Sequence, residues 1–129
     1  MITEEKKLKQ VIIFDDNINV RESIGLLLST TDNMQLVAAF DSCKNMLADI
    51  ENINPDIVLM DIDMPLITGI DAVKLLRTKY PALPVLMLSL MLKLLVLTKS
   101  LLLLVKKHVS RYGLIPMLMP KHIPIFLLV

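Results

Sequence analysis

The chain has 129 residues, a single cysteine and a formal net charge of +1. That length describes one domain with one sizeable core. Cys43 alone excludes an internal disulfide and fits a reducing, cytoplasmic compartment, and the start, Met1-Ile-Thr-Glu-Glu-Lys-Lys, has no apolar h-region, so a signal peptide is not expected.

The near-neutral total hides an asymmetry. Residues 1–71 hold all 13 acidic side chains against 5 basic ones, whereas residues 72–129 hold 9 basic side chains and no acidic one. From Leu90 onward Leu, Met, Val and Lys dominate, so residues 90–129 stand apart from the rest of the single domain.

Gln10 to Phe14 is a short apolar run that ends in Asp15-Asp16-Asn17 and reads as a buried strand. Asn17 or Asn19 can cap the helix that follows, whose apolar residues Val20, Ile24, Leu27 and Leu28 have helical spacing. Met34–Phe40 reads as a second strand at an edge. Asp41 or Ser42 can cap a helix that runs to Ile50 or Ile53, with Met46, Leu47 and Ile50 facing inward. Asn52–Pro55 is a turn.

Asp56-Ile-Val-Leu-Met-Asp61 is a third strand, buried on both faces, with a carboxylate at its C-terminal end. A loop runs from Asp61 to Gly69. A helix over 70–79 then carries Ile70, Val73 and Leu75 or Leu76 inward, and Tyr80-Pro81 ends it. Pro84–Ser89 is a fourth strand that ends in a hydroxyl. Strands alternating with helices mean βαβ units, giving an α/β fold with a doubly wound parallel sheet. Leu90 to Lys107 reads as one long helix, ended by Tyr112-Gly113. Pro116, Pro120 and Pro124 rule out an ordinary helix beyond it.

If the first, third and fourth strands are neighbours, Asp15, Asp16, Asp61 and Ser89 meet in one crevice at the sheet edge, where open α/β sheets bind ligands. Clustered carboxylates repel one another unless a cation sits among them. Hard oxygen ligands at a small exposed site suit Mg²⁺. Such a site supports phosphoryl transfer, with a carboxylate as nucleophile and the hydroxyl of the next strand donating to the new phosphoryl group.

Val11-Ile-Ile-Phe-Asp15-Asp16-Asn17 with Arg21, Asp56-Ile-Val-Leu-Met-Asp61-Ile-Asp63-Met64-Pro65 with Gly69, and Pro84-Val-Leu-Met-Leu-Ser89 together resemble the receiver domain of two-component response regulators, over about residues 8–89. The resemblance implies a flavodoxin-like fold with strand order 2-1-3-4-5. It implies that Asp61 accepts a phosphoryl group from a sensor histidine kinase and that Asp15, Asp16, Asp61 and the backbone of Asp63 hold Mg²⁺. It further implies that Ser89 is the switch hydroxyl and that the domain is a phosphoacceptor in signal transduction rather than a turnover enzyme. A homodimer fits this family, and direct nucleic-acid binding by this chain is not expected.

The sequence departs from the family after Ser89. The family's lysine at the end of a fifth strand has no clean counterpart, since Lys106 and Lys107 come early and Lys121 comes late. Leu90 stands where a small residue is usual, and only Tyr112 could supply the family's aromatic switch. A shifted reading frame or a degenerate tail from Leu90 would produce this pattern, and translation of the gene in the other two frames tests it.

The blander readings stand beside these. Lys93, Lys99 and Lys106 read as one solvated basic helix face, and Cys43 as a small buried hydrophobe. His108 and His122 lack ligand spacing. Membrane contact by 90–107 would take the form of an interfacial basic helix. Two alternatives to the phosphoacceptor remain. One is a degenerate receiver-like module that binds partners or membrane without being phosphorylated. The other is a phosphatase-type hydrolase with Asp61 as nucleophile and Asp63 as second acid.

Overall fold

The computed structural model describes residues 7–112. Eight elements follow one another: β1 (Lys9–Phe14), α1 (Ile18–Ser29), β2 (Met34–Phe40), α2 (Met46–Ile53), β3 (Ile57–Asp61), α3 (Gly69–Lys79), β4 (Val85–Leu88) and α4 (Leu90–Tyr112). The four strands form one parallel sheet in the order β2-β1-β3-β4. The sequence leads to this doubly wound arrangement, with β2 at an edge as expected.

The two central strands are buried on both faces, and their side chains alternate strictly between two cores. Ile12, Phe14, Val58 and Met60 face α2 and α3, where Met46, Ile50, Ala72 and Leu76 meet them. Val11, Ile13 and Leu59 face α1 and α4, packing with Val20, Ile24 and Leu88 and with Leu92, Val96 and Leu97. Each large aliphatic or aromatic side chain removed from water here contributes on the order of 2 kcal/mol. Phe14 also stacks on Phe40 of the edge strand, with ring centroids 5.0 Å apart.

Several expectations shift. The second helix begins at Met46 rather than at Asp41 or Ser42, and its N-cap, Asn45, makes no side-chain capping bond. Leu76 is buried and Val73 packs on the core, both as expected, but Ile70, also expected inside, is 52% exposed, and Gly69 and Ala72 are buried. The phase of α3 is set at its first residue. A Cβ on Gly69 would lie 1.8 Å from the Asp61 carbonyl oxygen, so the chain crosses β3 there with no room for a side chain. Thr68 caps this helix by accepting from the Asp71 amide.

No fifth strand pairs with β4 among the described residues. From Leu90 to Tyr112 there is no Gly, Pro, Asn or Asp to turn the chain, so a single 23-residue helix forms, as the reading of one long helix from Leu90 expects, and it occupies the place of the fifth strand that the resemblance implies. This α4 packs on α1, and the Ser100 hydroxyl donates to the Ser23 carbonyl across the contact at 3.0 Å. Among the described residues, no helix is long and apolar enough to cross a membrane. Lys121 and His122 lie outside the described residues, as do the side chains of Lys106, Lys107, His108 and Tyr112.

Candidate functional site

The alternation of the central strands decides where the carboxylates go. Val11 and Ile13 face the α1/α4 side, and Asp15 continues that parity one step past β1. Leu59 faces the same side, and Asp61 continues it at the last position of β3. Both carboxylates therefore emerge at the C-terminal edge of the sheet beneath α1 and α4. Asp15 and Asp61 are both buried, while Asp16 is exposed beside them; one carboxylate oxygen from each lies within 4.8 Å of the others.

Local backbone holds the two buried groups. Asp15 Oδ1 accepts from the Asn17 amide at 2.9 Å, and Asn17 in turn caps α1. Arg21 reaches back from α1 to donate to the Asp15 carbonyl at 2.8 Å. Asp61 Oδ1 accepts from the Asp63 amide at 3.0 Å. The Asp63 side chain itself is exposed.

The unexpected occupant is Lys93. Its Nζ lies 2.6 Å from Asp61 Oδ1 and 3.1 Å from Asp15 Oδ2, and its side chain is only 13% exposed. It does not lie on a solvated basic face with Lys99, contrary to the expectation from their spacing. Lys93 and Lys99 are six residues apart, which turns them about 240° from each other on a helix. Lys99 is exposed, whereas Lys93 shares its face with buried Ser100, seven residues on. The signal was present: Lys93 is the one polar residue in Leu90–Leu97, one helical turn past a strand that ends at the acidic edge.

The ammonium does not complete the site. Asp61 Oδ2 is buried without a hydrogen-bond partner, and among the described residues Asp15 Oδ2 has the ammonium alone, 3.1 Å away. Burial holds the Asp15 carboxyl above the ordinary carboxylate value, and the neighbouring Asp61 charge adds to this against the Asn17 amide and Lys93. Burial works the other way on Lys93, yet its two carboxylate partners outweigh it and hold the amine above the ordinary lysine value. The orphaned Asp61 oxygen, with the Asp15 and Asp16 carboxylates beside it, forms a donor set that fits a small hard cation such as Mg²⁺.

Ser89 is exposed at the junction between β4 and α4, where its hydroxyl oxygen accepts from the Leu92 amide at 3.3 Å and caps the helix. The Lys93 amide bonds the Ser89 carbonyl in the same turn. Cys43 is buried, with its sulfur 3.6 Å from Met60 Sδ. Burial pushes its thiol up to about 11, with a contribution from the Asp61 charge.

A profile of the response regulator receiver domain matches residues 11–110. Among curated proteins, a protein-glutamate methylesterase/protein-glutamine glutaminase of Trichodesmium erythraeum is 38% identical over 80 residues, which is 62% of this chain and 23% of that protein. The transcriptional regulatory protein DegU of Brevibacillus brevis is 36% identical over 80 residues, covering 62% of this chain and 34% of that protein. The chain thus spans between about a quarter and a third of the length of these relatives. Among solved structures, the non-phosphorylated receiver domain of the stress response regulator RcsB from Escherichia coli superposes with a TM-score of 0.61, covering 84% of this chain and 96% of that one at 18% identity. That likeness extends to the fold alone. The parallel sheet, the acidic edge and the profile match agree: the chain belongs to the response regulator receiver domain family.

Proposed function

We propose that this receiver domain is a phosphoacceptor of a two-component system and that Asp61 takes the phosphoryl group from a phosphohistidine of a sensor histidine kinase. The observation that carries this reading is Asp61 Oδ2, a buried carboxylate oxygen at the sheet edge with no hydrogen-bond partner. Asp61 Oδ1 is held by the Asp63 amide, which fixes the carboxylate and leaves Oδ2 as the attacking atom. Oδ2 forms a bond to phosphorus, the bond from phosphorus to the histidine nitrogen breaks, and that nitrogen keeps the electron pair. Asp15, Asp16 and Asp61 would hold Mg²⁺, with the Asp63 backbone beside them. When bound, the metal supplies positive charge that offsets the charge on the phosphoryl oxygens. The Ser89 hydroxyl oxygen accepts from Leu92 and keeps its own proton available to donate to a phosphoryl oxygen.

The signal would leave through the receiver surface, to a second copy of the chain or to another partner, in the cytoplasm. This chemistry is a single phosphoryl acceptance rather than turnover. Incubation with Mg²⁺ and a small acyl phosphate tests it. A hydroxylamine-labile phosphoryl adduct is expected on the wild type and not on Asp61→Asn. Soluble, folded wild type that never acquires the adduct contradicts the reading. That result would favour the second reading, a receiver-like interaction module that is not phosphorylated, which draws its support from the ammonium already lodged between Asp15 and Asp61.

A further inference from the structure

We infer that Lys93 is a tethered counter-ion that competes with the divalent cation for the same carboxylate oxygens, so that loading the site expels its side chain from the first turn of α4. The inference rests on the reading of Asp15, Asp16 and Asp61 as the metal-holding set. It follows from where the charges sit. Lys93 Nζ lies between Asp61 Oδ1 and Asp15 Oδ2, on the two residues that are the buried members of the acidic cluster. Among the described residues, these are the only ion pairs made by either carboxylate; Arg21 is directed at the Asp15 carbonyl instead. A small divalent ion draws its oxygen ligands to about 2.0–2.1 Å. An ammonium held at 2.6 and 3.1 Å from members of that ligand set would then lie within a few ångströms of the ion, and two cations at that range repel.

The departure has a defined route and a defined reporter. Lys93 carries four rotatable side-chain bonds and faces an acidic cluster whose third member, Asp16, is exposed, so its ammonium swings outward to water without unfolding the helix. The Lys93 amide is bonded to the Ser89 carbonyl, and the Ser89 hydroxyl caps the same turn through Leu92. The cation exchanged at the sheet edge is therefore felt in the turn that carries the hydroxyl. Ser100, seven residues on, stays tied to Ser23 of α1, so the change is confined to the start of the helix. In this chain the switch between loaded and unloaded site is a lysine on the helix after the fourth strand, at a position that the sequence resemblance does not assign.

The test uses the folded wild-type chain. Amine acetylation is followed by mass spectrometry with and without Mg²⁺, at ionic strength matched with NaCl, and the exposed Lys74 serves as control. Calorimetry measures Mg²⁺ affinity in parallel for wild type and Lys93→Met. The expected result is at least a fivefold faster labelling of Lys93 with Mg²⁺, unchanged Lys74, and an affinity at least tenfold tighter in Lys93→Met. If Lys93→Met does not fold, the wild-type labelling decides. Mg²⁺ binding with unchanged or slower Lys93 labelling overturns the inference and leaves the functional reading intact. Absence of Mg²⁺ binding to folded wild type overturns both.

Discussion

Residues 9–88 and the helix that follows them are held in place by different means. In the first region the backbone pattern decides. Short apolar runs alternate with turns, β1 and β3 bury both faces, and Gly69 lets the chain cross Asp61 at a distance no other residue permits. In α4 the hydrophobic pattern decides little, because leucine-like side chains surround the helix. Leu92, Val96 and Leu97 pack inward, yet Leu90 and Met91 are 70% and 74% exposed, and Leu94 and Leu95 are exposed too. What selects the face is two polar residues seven positions apart, Lys93 on the acidic edge and Ser100 on the Ser23 carbonyl. An amphipathic stripe normally orients a helix; here two polar residues lie inward among Leu92, Val96 and Leu97.

The largest effect belongs to the first region. Gly69→Ala forces a methyl group into the Asp61 backbone, and the expected loss is about 3 kcal/mol or more in urea unfolding. A loss below about 1 kcal/mol would show that the loop has slack and that the Asp61 position is not fixed this way. Lys93→Met comes next. It leaves two buried carboxylates without their counter-ion, and removing one partner of a buried pair costs about 3 kcal/mol. Unchanged stability at pH 7 in the absence of divalent ions would place Lys93 in solvent.

Cys43 sharpens the contrast from the core side. The unfolded thiol ionises near 9.0 and the folded one near 11, so between these values the unfolded chain binds fewer protons. Stability therefore falls as pH rises from 9 to 11, by on the order of 2 kcal/mol across the range. At pH 8 the native thiol is expected to resist alkylation and to react promptly in denaturant. Fast native alkylation would mean that the α2 side of the core opens. The smallest effect is that of Ser100→Ala, at about 1 kcal/mol. It is expected to lower hydrogen-exchange protection in α4 while β1 and β3 keep theirs. Equal loss in both regions would mean that α4 is not separately anchored.

These two modes of construction explain what could be read from the sequence. The strands followed from short apolar runs, their order came from the family resemblance, and the meeting of Asp15, Asp16 and Asp61 followed once the first and third strands were neighbours. Ile70 was misplaced because helical spacing alone fits more than one phase, and the contact that selects the phase, Gly69 against Asp61, is tertiary. The start of α2 was placed early because Asp41 and Ser42 are good caps in isolation. Lys93 was missed because recurrence at about seven residues suggested one basic face, whereas the true partner at that interval is Ser100. In a leucine-rich helix the informative residues are the few that are not leucine, and their meaning depends on what lies across from them.

The proposed function rests on Asp61 as the residue that takes the phosphoryl group. Its most direct test is to trap the acyl phosphate by borohydride reduction after incubation with Mg²⁺ and an acyl phosphate, then digest with trypsin and map the product. Asp61 lies in the tryptic peptide 45–74, and Asp15 and Asp16 lie in 10–21. The predicted result is reduction at Asp61 alone, in the 45–74 peptide. Reduction in the 10–21 peptide, or in neither from soluble folded protein, would contradict the claim.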